Sequence, residues 1–563
     1  MSSRWVFKRN NPFWKKKLTP EKLTLALLWN RGIKGKKATK QFLFPPLPAE
    51  ISLAQAGIDP KQVKKACLRL KQAQIKKERI LVYGDYDVDG FCSTALLWEA
   101  LYFANFNAFP YIPNREKDGY GLNADTVKKL KAEIPGLGLV ITVDNGIVAN
   151  EAVKELKKQG IDTIIVDHHL PSKTLPKALS IIHTTKLAGS GVVWFLVCQL
   201  ADLGAPLPDL GLAALGTVAD MLPVKGVSRS LIKHGTPYLE TTRRVGLRSL
   251  FSLAGIRGQP IDTFKIGFII APRLNALGRI ADPMDGLRLL CSRRLIKGER
   301  LAKLAQKVNT QRQKMTKDSL QEAREKVGKG KLPELLFVAS SSFHQGIVGL
   351  IAGRLMDEFY RPAIVIKKEK GISRGSVRSI KELNIIQALR SFKGLFVELG
   401  GHPQAAGFKI KTKNIPVLKK KLLSLVKQKL KGKKLQPRLG IDGCLNLSQA
   451  SSPDYYQAIA KLSPFGLGNR QPIFLLKNLR IVELRKAGSN GNHLKLILDD
   501  PDTPLEERAV AEAIGFNLGS WGDKLSMGDL VDLAANLTEN HWKGKTSVVL
   551  QVKDLRLRGK VVK

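Results

Sequence analysis

Short apolar runs separated by amphipathic stretches extend through the first half of the chain. Residues 80–83 are apolar and β-prone, and a cluster of turn-forming residues follows them at once, which predicts a buried strand. Residues 137–143 and 161–166 repeat this pattern, and helical patterns lie between the three runs. Strands that alternate with helices are typical of a parallel sheet. We therefore predict an α/β domain over residues 55–240.

Later segments show other patterns. Apolar positions at helical spacing in a highly charged segment predict a helical connector over residues 241–330. A second α/β segment with paired glycines covers residues 331–434, and several short strand-like runs in residues 435–563 predict a small barrel. Residues 1–54 form a basic N-terminal arm that ends in a proline-stiffened connector. The chain thus divides into five expected parts.

Three aspartates stand within five positions directly after the first predicted strand, at Asp85, Asp87 and Asp89. Such crowding of carboxylates is electrostatically unfavourable unless a cation offsets it. A calcium-binding EF-hand loop also begins with alternating aspartates, but its twelfth position requires a glutamate and is Leu96 here. The segment is therefore either an acidic turn or part of a metal site of another kind.

The next predicted strands end in similar side chains. These are Asp144 after the second strand, Asp167, His168 and His169 after the third, and Asp220 after a further apolar run. Because sites in open α/β sheets gather at the carboxyl ends of the strands, we expect these groups to converge. Carboxylates with one or two imidazoles suit Mn²⁺ or Mg²⁺. Two such ions that share a bridging aspartate would serve phosphodiester hydrolysis.

The charge balance is unusual, because 93 lysines and arginines against 48 aspartates and glutamates give a net charge of +45 in 563 residues. An excess of this size favours a polyanionic partner, and nucleic acid is the best candidate. Hydrophobic residues make up 44% of the chain, enough for large cores. The five cysteines are scattered without a CxxC pair, which argues against a zinc module or a disulfide framework and suits a reducing cytosol.

Further absences narrow the expected class. The most apolar stretch, around residues 191–200, is about half the length that spans a bilayer. The basic start lacks the apolar core of a signal peptide, so we expect a cytoplasmic protein without membrane contact. The sequence has no Ser-His-Asp arrangement, no G-x-S-x-G turn and no G-x-x-x-x-G-K-[ST] loop. Serine-based hydrolysis and ATP-driven work are therefore not expected.

The acidic motifs together resemble those of a known family. Residues 85–90 (DYDVDG), 142–147 (TVDNGI), 167–169 (DHH) and 215–220 (LGTVAD) are similar, in the same order, to the four motifs of the DHH phosphoesterases. Further motifs at 111–115 (YIPNR), 119–122 (GYGL) and 271–279 (APRLNALGR) resemble, within that family, the bacterial single-strand-specific 5′→3′ DNA exonucleases. The resemblance extends over nearly the whole chain.

The resemblance implies a role for each matched residue. The implied metal ligands, with Asp144 as the bridge, are Asp87, Asp89, Asp144, His168 and Asp220. The implied catalytic support groups or additional ligands are Asp85, Asp167 and His169. The implied contacts to the scissile phosphate are Arg279 and His402, and those to the rest of the substrate, including its 5′-terminal phosphate, are Arg115, Asn275, Ser376, Arg378, Gly400 and Gly401.

The resemblance also implies the architecture. A parallel-sheet DHH domain is expected to join, through a long helix, a smaller α/β DHH-associated domain that binds substrate. The C-terminal barrel is expected to be an OB-fold. Phe474, Phe516 and Trp542 are candidates for stacking on bases, although packing in the core is the more common fate of an aromatic side chain.

The implied function is hydrolysis of single-stranded DNA from its 5′ end with two divalent ions, Mn²⁺ being favoured over Mg²⁺, in recombination and repair. A single-strand-binding protein and a helicase are the implied protein partners, and a monomer is expected. Two alternatives stay open. One is a DHH hydrolase of oligoribonucleotides, small nucleotides or pyrophosphate, and the other is a catalytically silent DNA-binding scaffold.

Overall fold

The computed structural model describes residues 3–8, 11–15, 18–119, 121–328, 330–504, 508–542 and 545–559, except for the side chains of residues 15, 541, 542 and 545. These residues form two compact units. The sheet unit comprises Ser52–Asp220 and His234–Gln436, and the barrel unit comprises Ser2–Ile51, Met221–Lys233 and Pro437–Lys563. Each unit therefore combines segments that lie far apart along the chain.

Helices and strands have the following bounds. The strands are β1 (Arg4–Phe7), β2 (Arg79–Tyr83), β3 (Ala108–Tyr111), β4 (Leu137–Val143), β5 (Asp162–Asp167), β6 (Ser180–His183), β7 (Leu336–Ser340), β8 (Ala363–Lys367), β9 (Ile372–Arg378), β10 (Phe396–His402), β11 (Ala405–Lys411), β12 (Arg438–Ile441), β13 (Gly443–Cys444), β14 (Phe474–Ala487), β15 (His493–Asp499), β16 (Val510–Gly515), β17 (Leu530–Trp542) and β18 (Lys545–Gly559). The α-helices are α1 (Pro20–Asn30), α2 (Lys36–Leu43), α3 (Leu53–Ala56), α4 (Pro60–Ile75), α5 (Val88–Phe103), α6 (Ala124–Glu133), α7 (Asn150–Lys158), α8 (Gly189–Val197), α9 (Leu210–Ala219), α10 (Gly226–Glu240), α11 (Val245–Leu253), α12 (Ala271–Ile280), α13 (Met284–Cys291), α14 (Leu295–Val327), α15 (Val348–Phe359), α16 (Ile385–Arg390), α17 (Ile415–Leu430), α18 (Leu447–Ser451) and α19 (Pro453–Ala460). A π-helix, Lys265–Ile270, leads directly into α12.

The first sheet of the sheet unit has the strand order β3-β2-β4-β5-β6, and all of its neighbouring strands are parallel. The apolar residues of β2, β4 and β5 are almost all buried, as expected when helices cover both faces of a parallel sheet. The predicted parallel sheet is confirmed. Its central strands end side by side at one edge, which is where a site is expected.

A second sheet of the same unit has the order β10-β11-β9-β8-β7, in which only the β7–β8 pair is parallel among the described strands. The helix α14, with 33 residues, is about 50 Å long at ~1.5 Å per residue. Its C-terminal half packs through Met315, Leu320 and Ala323 against the core beside this second sheet. The predicted long helix and the smaller second α/β domain are thus confirmed.

The barrel unit contains the strands β14-β15-β16-β18-β17, and pairing between β14 and β17 closes them into a barrel. Leu23, Leu27 and Leu28 of α1 lie in the same hydrophobic core as the barrel strands. In addition, β1 pairs in parallel with β12, and Trp5 Nε1 donates a hydrogen bond of 2.9 Å to Asp554 Oδ2. Most of the expected N-terminal arm, 1–54, is therefore packed within the barrel unit. The five-part division of the chain stays a prediction.

The aromatic residues predicted to stack on bases have different environments in the barrel unit. Phe474 is fully buried in the core, which is the more common fate expected of these aromatic residues, so it is not available to stack on bases. Phe516 is 48% exposed and lies edge-on to His493, with ring centroids 5.3 Å apart. The side chain of Trp542 lies outside the described residues.

Among the described residues, the structure has no helix that combines the length and apolar composition required to cross a bilayer.

Candidate metal centre and substrate cleft

The loop after β2 presents the first group of carboxylates. Asp87 caps α5, because its Oδ1 accepts a 3.0 Å hydrogen bond from the Gly90 amide. Asp89 lies in the first turn of α5 and is 1% exposed, and Asp85 is 4% exposed. A Cβ atom at Gly90 would lie 2.3 Å from the Asp85 carbonyl oxygen. Only glycine therefore lets the helix begin so close to the loop.

The second group follows β4, β5 and α9. Asp144 directly follows β4 and adopts a left-handed backbone conformation, with φ of 62°, which Asp tolerates better than most residues. Its amide donates a 2.9 Å hydrogen bond to the carbonyl of Val166 in β5. His168 directly follows β5, and Asp220 directly follows α9. Elements that are separate in sequence thus deliver their functional groups to one edge of the sheet.

These groups converge closely. His168 Nε2 lies 3.1 Å from Asp144 Oδ1, 3.6 Å from Asp220 Oδ2 and 3.9 Å from Asp89 Oδ2. The possible ligand atoms fall within 4.8 Å of one another in three sets: Asp144, Asp167, His168 and His169; Asp89, His168 and Asp220; and Asp85, Asp87 and Asp144. All eight acidic and imidazole residues predicted from the motifs therefore belong to this cluster, which we call the carboxylate cluster.

The carboxylate cluster fits divalent cations. Asp144 Oδ1 and His168 Nε2 are buried, and neither has a hydrogen-bond partner among the described residues. Buried polar atoms without partners are rare and imply a ligand or a water at that place. Oxygen donors with a single imidazole match hard ions such as Mn²⁺ and Mg²⁺. These donors therefore suit the metals that the sequence predicts.

The carboxylates also repel one another strongly without a cation. Burial, followed by the charges of neighbouring aspartates, raises the pKa of Asp144 well above its ordinary value. The same causes raise the pKa of Asp220 to about 8 and that of Asp85 to about 7. Burial lowers the pKa of His168, although the nearby carboxylates oppose this shift. His168 is therefore neutral at pH 7, as a metal ligand must be.

The N-terminus of α8 holds Asp89 in place. The amide of Gly189 donates a 2.6 Å hydrogen bond to Asp89 Oδ2, and the amide of Ser190 donates one of 3.0 Å to Oδ1. A Cβ atom at Gly189 would lie 2.6 Å from Asp144 Oδ1, and one at Gly216 would lie 2.4 Å from Asp89 Oδ1. The glycines let two helices approach the cluster. Sequence analysis missed this contribution, although a Gly-Ser-Gly at 189–191 before an apolar helix was a possible signal.

Asp167 organises the two histidines. Its Oδ1 accepts hydrogen bonds from the amides of His168 and His169 and lies 2.8 Å from His169 Nδ1, while its Oδ2 accepts from the Ile147 amide at 2.9 Å. Burial disfavours the charged form of His169, but the contact with Asp167 outweighs it and raises the pKa of His169 to about 9. His183 Nε2 lies 2.7 Å from the His169 carbonyl oxygen. This loop is therefore fixed from both sides.

A group of arginines lies close to the carboxylate cluster, because the charges of Arg115, Arg312 and Asp87 all act on Arg279. The Arg279 side chain donates a 3.0 Å hydrogen bond to the Gly346 carbonyl. Burial, with the nearby charges of Arg115 and Arg312, lowers the pKa of Arg279 to about 10. Arg115 stacks on Tyr86 at 4.3 Å. Such a set of guanidinium groups is suited to a phosphate-rich ligand.

Further predicted substrate residues surround this cleft. Asn275 Oδ1 accepts a 3.1 Å hydrogen bond from the amide of Val88, the first residue of α5. Ser376 and Arg378 lie on one face of β9, and a Cβ atom at Gly349, near the start of α15, would lie 3.2 Å from Ser376 Oγ and 3.7 Å from Arg378 Nη2. A hydroxyl, a guanidinium and a helix N-terminus therefore meet at one place, which is a suitable anion site.

The remaining predicted residues belong to one strand. Gly400, Gly401 and His402 belong to β10, the edge strand of the second sheet, and all three are exposed. Among the described residues, His402 belongs to none of the three sets of ligand atoms. The role of His402 at the scissile phosphate therefore stays a prediction.

Comparisons with known proteins agree with this architecture. The model of the "DHH family, N-terminal domain" matches residues 79–217, that of the "DHHA1 domain" matches 333–430, and that of the "RecJ OB domain" matches 441–554. The single-stranded-DNA-specific exonuclease RecJ of Bacillus subtilis is 34% identical over 98% of this chain and 70% of its own length. The crystal structure of RecJ from Thermus thermophilus in complex with Mn²⁺ has a TM-score of 0.81 and 27% identity, over 99% of this chain and 80% of that one. The corresponding Mg²⁺ complex has a TM-score of 0.75 and 26% identity, over 99% and 79%. The chain belongs to the RecJ family of single-stranded-DNA-specific exonucleases, within the wider DHH family.

Proposed function

We propose that this protein is an exonuclease that degrades single-stranded DNA from its 5′ end by phosphodiester hydrolysis at the carboxylate cluster. One observation carries the proposal: the buried ligand atoms of Asp144 and His168 lie 3.1 Å apart without hydrogen-bond partners among the described residues, in a cluster whose Asp87 is close enough for its charge to act on Arg279. Membership of a family of single-stranded-DNA-specific exonucleases supports the same reaction.

We assign two divalent ions to the cluster, with Mn²⁺ favoured over Mg²⁺. Asp144 belongs to two of the three sets of ligand atoms, as a carboxylate that bridges two ions must. Asp85 and Asp87 share one of these two sets with Asp144, and Asp167, His168 and His169 share the other. Asp89 and Asp220 lie with His168 in the third set, so they would hold an ion together with it. When bound, two such ions lower the energy of the attacking and leaving oxygens in an in-line displacement at phosphorus.

The side chains of the chain itself supply orientation and charge. Arg279 is held by the Gly346 carbonyl, so its remaining donors are fixed to bind the scissile phosphate, and preorganised donors of this kind are effective catalysts. Asn275 keeps the start of α5 in place through Val88. Asp167 holds the loop that carries His168 and His169. The position of this loop therefore does not depend on bound substrate.

We assign Arg115, Ser376 and Arg378 to the 5′-terminal phosphate and call them the end pocket. The charges of Arg115 and Arg378 both act on Arg279, which supports an arrangement in which terminal and scissile phosphates are held together. A pocket that requires a terminal phosphate explains release from the end of a strand. Gly400, Gly401 and His402 would contact the substrate from β10.

We further propose that the protein acts in recombination and repair, that a single-strand-binding protein and a helicase are its partners, and that it is a monomer. The net charge of +45 supports nucleic acid as the polyanionic ligand. The two alternatives are a DHH hydrolase of oligoribonucleotides, small nucleotides or pyrophosphate and a catalytically silent DNA-binding scaffold, and they predict different products in the same assay.

The test uses the full chain with Mn²⁺ and four substrates: a 5′-labelled DNA strand, the same strand labelled at its 3′ end, an RNA strand and a dinucleotide. We expect immediate release of a labelled mononucleotide from the 5′-labelled strand and a ladder of shortened products from the 3′-labelled strand. Preference for RNA or for the dinucleotide would replace the proposal with the first alternative. No cleavage, with DNA still bound, would replace it with the second.

A further inference from the structure

Two large aromatic side chains are exposed at the π-helix of the sheet unit, Phe264 directly before its first residue and Phe268 within it. Phe264 and Phe268 are 59% and 72% exposed, and their rings are stacked with centroids 4.9 Å apart and an angle of 25° between the ring planes. Ile266 and Ile270 anchor the other side of the helix in the core. An exposed pair of stacked rings on a helix whose other side is buried is a contiguous apolar patch, and such patches mark binding surfaces.

The helix that carries this pair continues without interruption into α12. Along its length, Phe264, Phe268, Pro272, Asn275 and Arg279 follow one another at spacings of four, four, three and four residues. At 3.6 residues per turn, Pro272, Asn275 and Arg279 of α12 fall within about 60° of one another around the helix axis. Phe268 stands four residues before Pro272, about one turn of the π-helix away, and Phe264 stacks on Phe268. The phenyl rings and the two polar residues therefore share one face.

The far end of this face lies at the carboxylate cluster. Asn275 accepts a hydrogen bond from the amide of Val88, at the start of α5, and the charge of Asp87 acts on Arg279. A Cβ atom at Gly278 would lie only 1.7 Å from the Tyr86 carbonyl oxygen, so the last turn of α12 touches the acidic loop. The exposed rings are thus aligned with the groups that meet the scissile phosphate.

We propose that Phe264 and Phe268 form a stacking platform for bases of the single strand on the 3′ side of the scissile phosphate. This inference rests on the proposed exonuclease function. Phe268 stands eleven residues before Arg279, which is about 16 Å along a helix. Bases in a stacked strand are about 3.4 Å apart, so the platform meets a base at most about five nucleotides from the cut.

The chemistry of the surface favours bases as the occupant. Every base has a flat face that stacks on an aromatic ring, which suits an enzyme that must accept any sequence. The end pocket holds the 5′ side of the cut, so the strand on the 3′ side needs another support. Arg115, Arg312 and Arg378 surround Arg279 with positive charge, which draws the backbone along the same line.

The test compares the wild type with Phe264→Ala/Phe268→Ala on a 20-nucleotide strand and on a 5′-phosphorylated dinucleotide. We expect kcat/KM on the long strand to fall roughly tenfold to hundredfold, mainly through KM, because stacking contributes ~1–3 kcal/mol per base. The dinucleotide is too short to reach the rings, and its hydrolysis should change less than twofold. Phe268→Trp should keep the affinity for the long strand, whereas Phe268→Leu should lose part of it.

Ile296→Ala is the matched control, because Ile296 is an apolar side chain of the same unit that is 83% exposed. It should behave as the wild type on both substrates. Equal losses on the long and short substrates, or no loss on either, would overturn the platform. Binding of a fluorescent 20-nucleotide strand in the absence of divalent metal tests the platform without cleavage, and the double variant should bind more weakly than the wild type. If the wild type cleaves neither substrate, that result would overturn only the proposed function.

Discussion

His168 Nε2 lies 3.1 Å from Asp144 Oδ1 in the carboxylate cluster, and neither atom has a hydrogen-bond partner among the described residues. The two residues follow different strands, β5 and β4, and the parallel register of those strands sets the distance between them. Burial lowers the pKa of His168, so the imidazole offers a lone pair and not a proton at neutral pH. The pair is therefore arranged to bind a cation jointly.

Asp144→Ala should abolish cleavage and leave DNA binding nearly intact. The variant removes the only carboxylate that belongs to two of the three ligand sets formed by the described residues, and it keeps the arginines of the cleft. Release of mononucleotide from a 5′-labelled strand should fall by at least a thousandfold, while the anisotropy of a labelled strand reports unchanged binding. Asp125→Ala, at an exposed position of α6, is the control. Turnover within about tenfold of the wild type would exclude a bridging role for Asp144.

Gly189→Ala should raise the concentration of Mn²⁺ that half-maximal activity requires by at least tenfold. Its new methyl group would lie 2.6 Å from Asp144 Oδ1, so α8 or the ligand must move. Because the Gly189 amide also holds Asp89, all three sets of ligand atoms are disturbed. The measurement is a Mn²⁺ titration of the exonuclease rate.

Gly353→Ala serves as the matched control for that variant. Gly353 is also helical, in α15, but a Cβ atom there would have nothing within 4 Å. The control should bind Mn²⁺ as the wild type does, with a small gain in stability from the better helix former. An unchanged Mn²⁺ requirement in Gly189→Ala would show that α8 does not position the ligands.

In the absence of metal, the free energy of unfolding should fall as the pH rises. The folded chain retains protons on Asp85, with a pKa of about 7, and on Asp220, with a pKa of about 8, whereas the unfolded chain loses them near the ordinary value of 3.8. The free energy of unfolding should therefore decline between about pH 4 and 8. His169, raised from 6.5 to about 9, adds to this decline above pH 6.5.

Mn²⁺ should reverse that decline, because it binds the deprotonated carboxylates. Scanning calorimetry with EDTA and with Mn²⁺ at pH 5.5 and 8.5 measures the effect as a shift of Tm. The shift caused by Mn²⁺ should be larger at pH 8.5, and Asp220→Asn should reduce the difference. A shift that is equal at the two pH values would contradict the assigned ligands.

Arg378→Ala should weaken the preference for a 5′-terminal phosphate. A hydrogen bond to a charged group contributes ~1.5–3 kcal/mol, so kcat/KM on a 5′-phosphorylated strand should fall roughly tenfold to hundredfold. The rate on a strand with a 5′ hydroxyl should change little. Lys409→Ala is the control. Lys409 lies on β11, the strand next to β9, and its side chain forms an ion pair with Glu398 of β10. Equal losses on both substrates would remove Arg378 from the end pocket.

Much of the metal centre could be predicted because its ligands follow patterned elements. Asp85, Asp144 and Asp167 each mark the end of an apolar run, and the ends of neighbouring parallel strands must meet. The edge strands β3 and β6 were harder to predict, since each has only four residues and therefore too little alternation to identify. The DHH family resemblance supplied the roles that spacing alone leaves open.

Other parts of the site could not be predicted because the sequence carries no local signal for them. Gly189 and Ser190 act through backbone amides on a carboxylate 100 residues earlier in the chain. Phe268 lies on a π-helix and Phe264 directly precedes it, and the wider turn of a π-helix breaks the 3.6-residue period that identifies helices in a sequence. The burial of Phe474 depends on closure of the barrel, which no short pattern encodes.

The pairing of β1 with β12 and the contact of Trp5 with Asp554 have a consequence for synthesis of the protein. After β1 leaves the ribosome, it finds its partners only when more than four hundred further residues have been translated. Until then, Leu23, Leu27 and Leu28 lack the core that surrounds them in the finished protein. The nascent chain must complete its metal-binding portion first and keep this early segment from aggregating meanwhile.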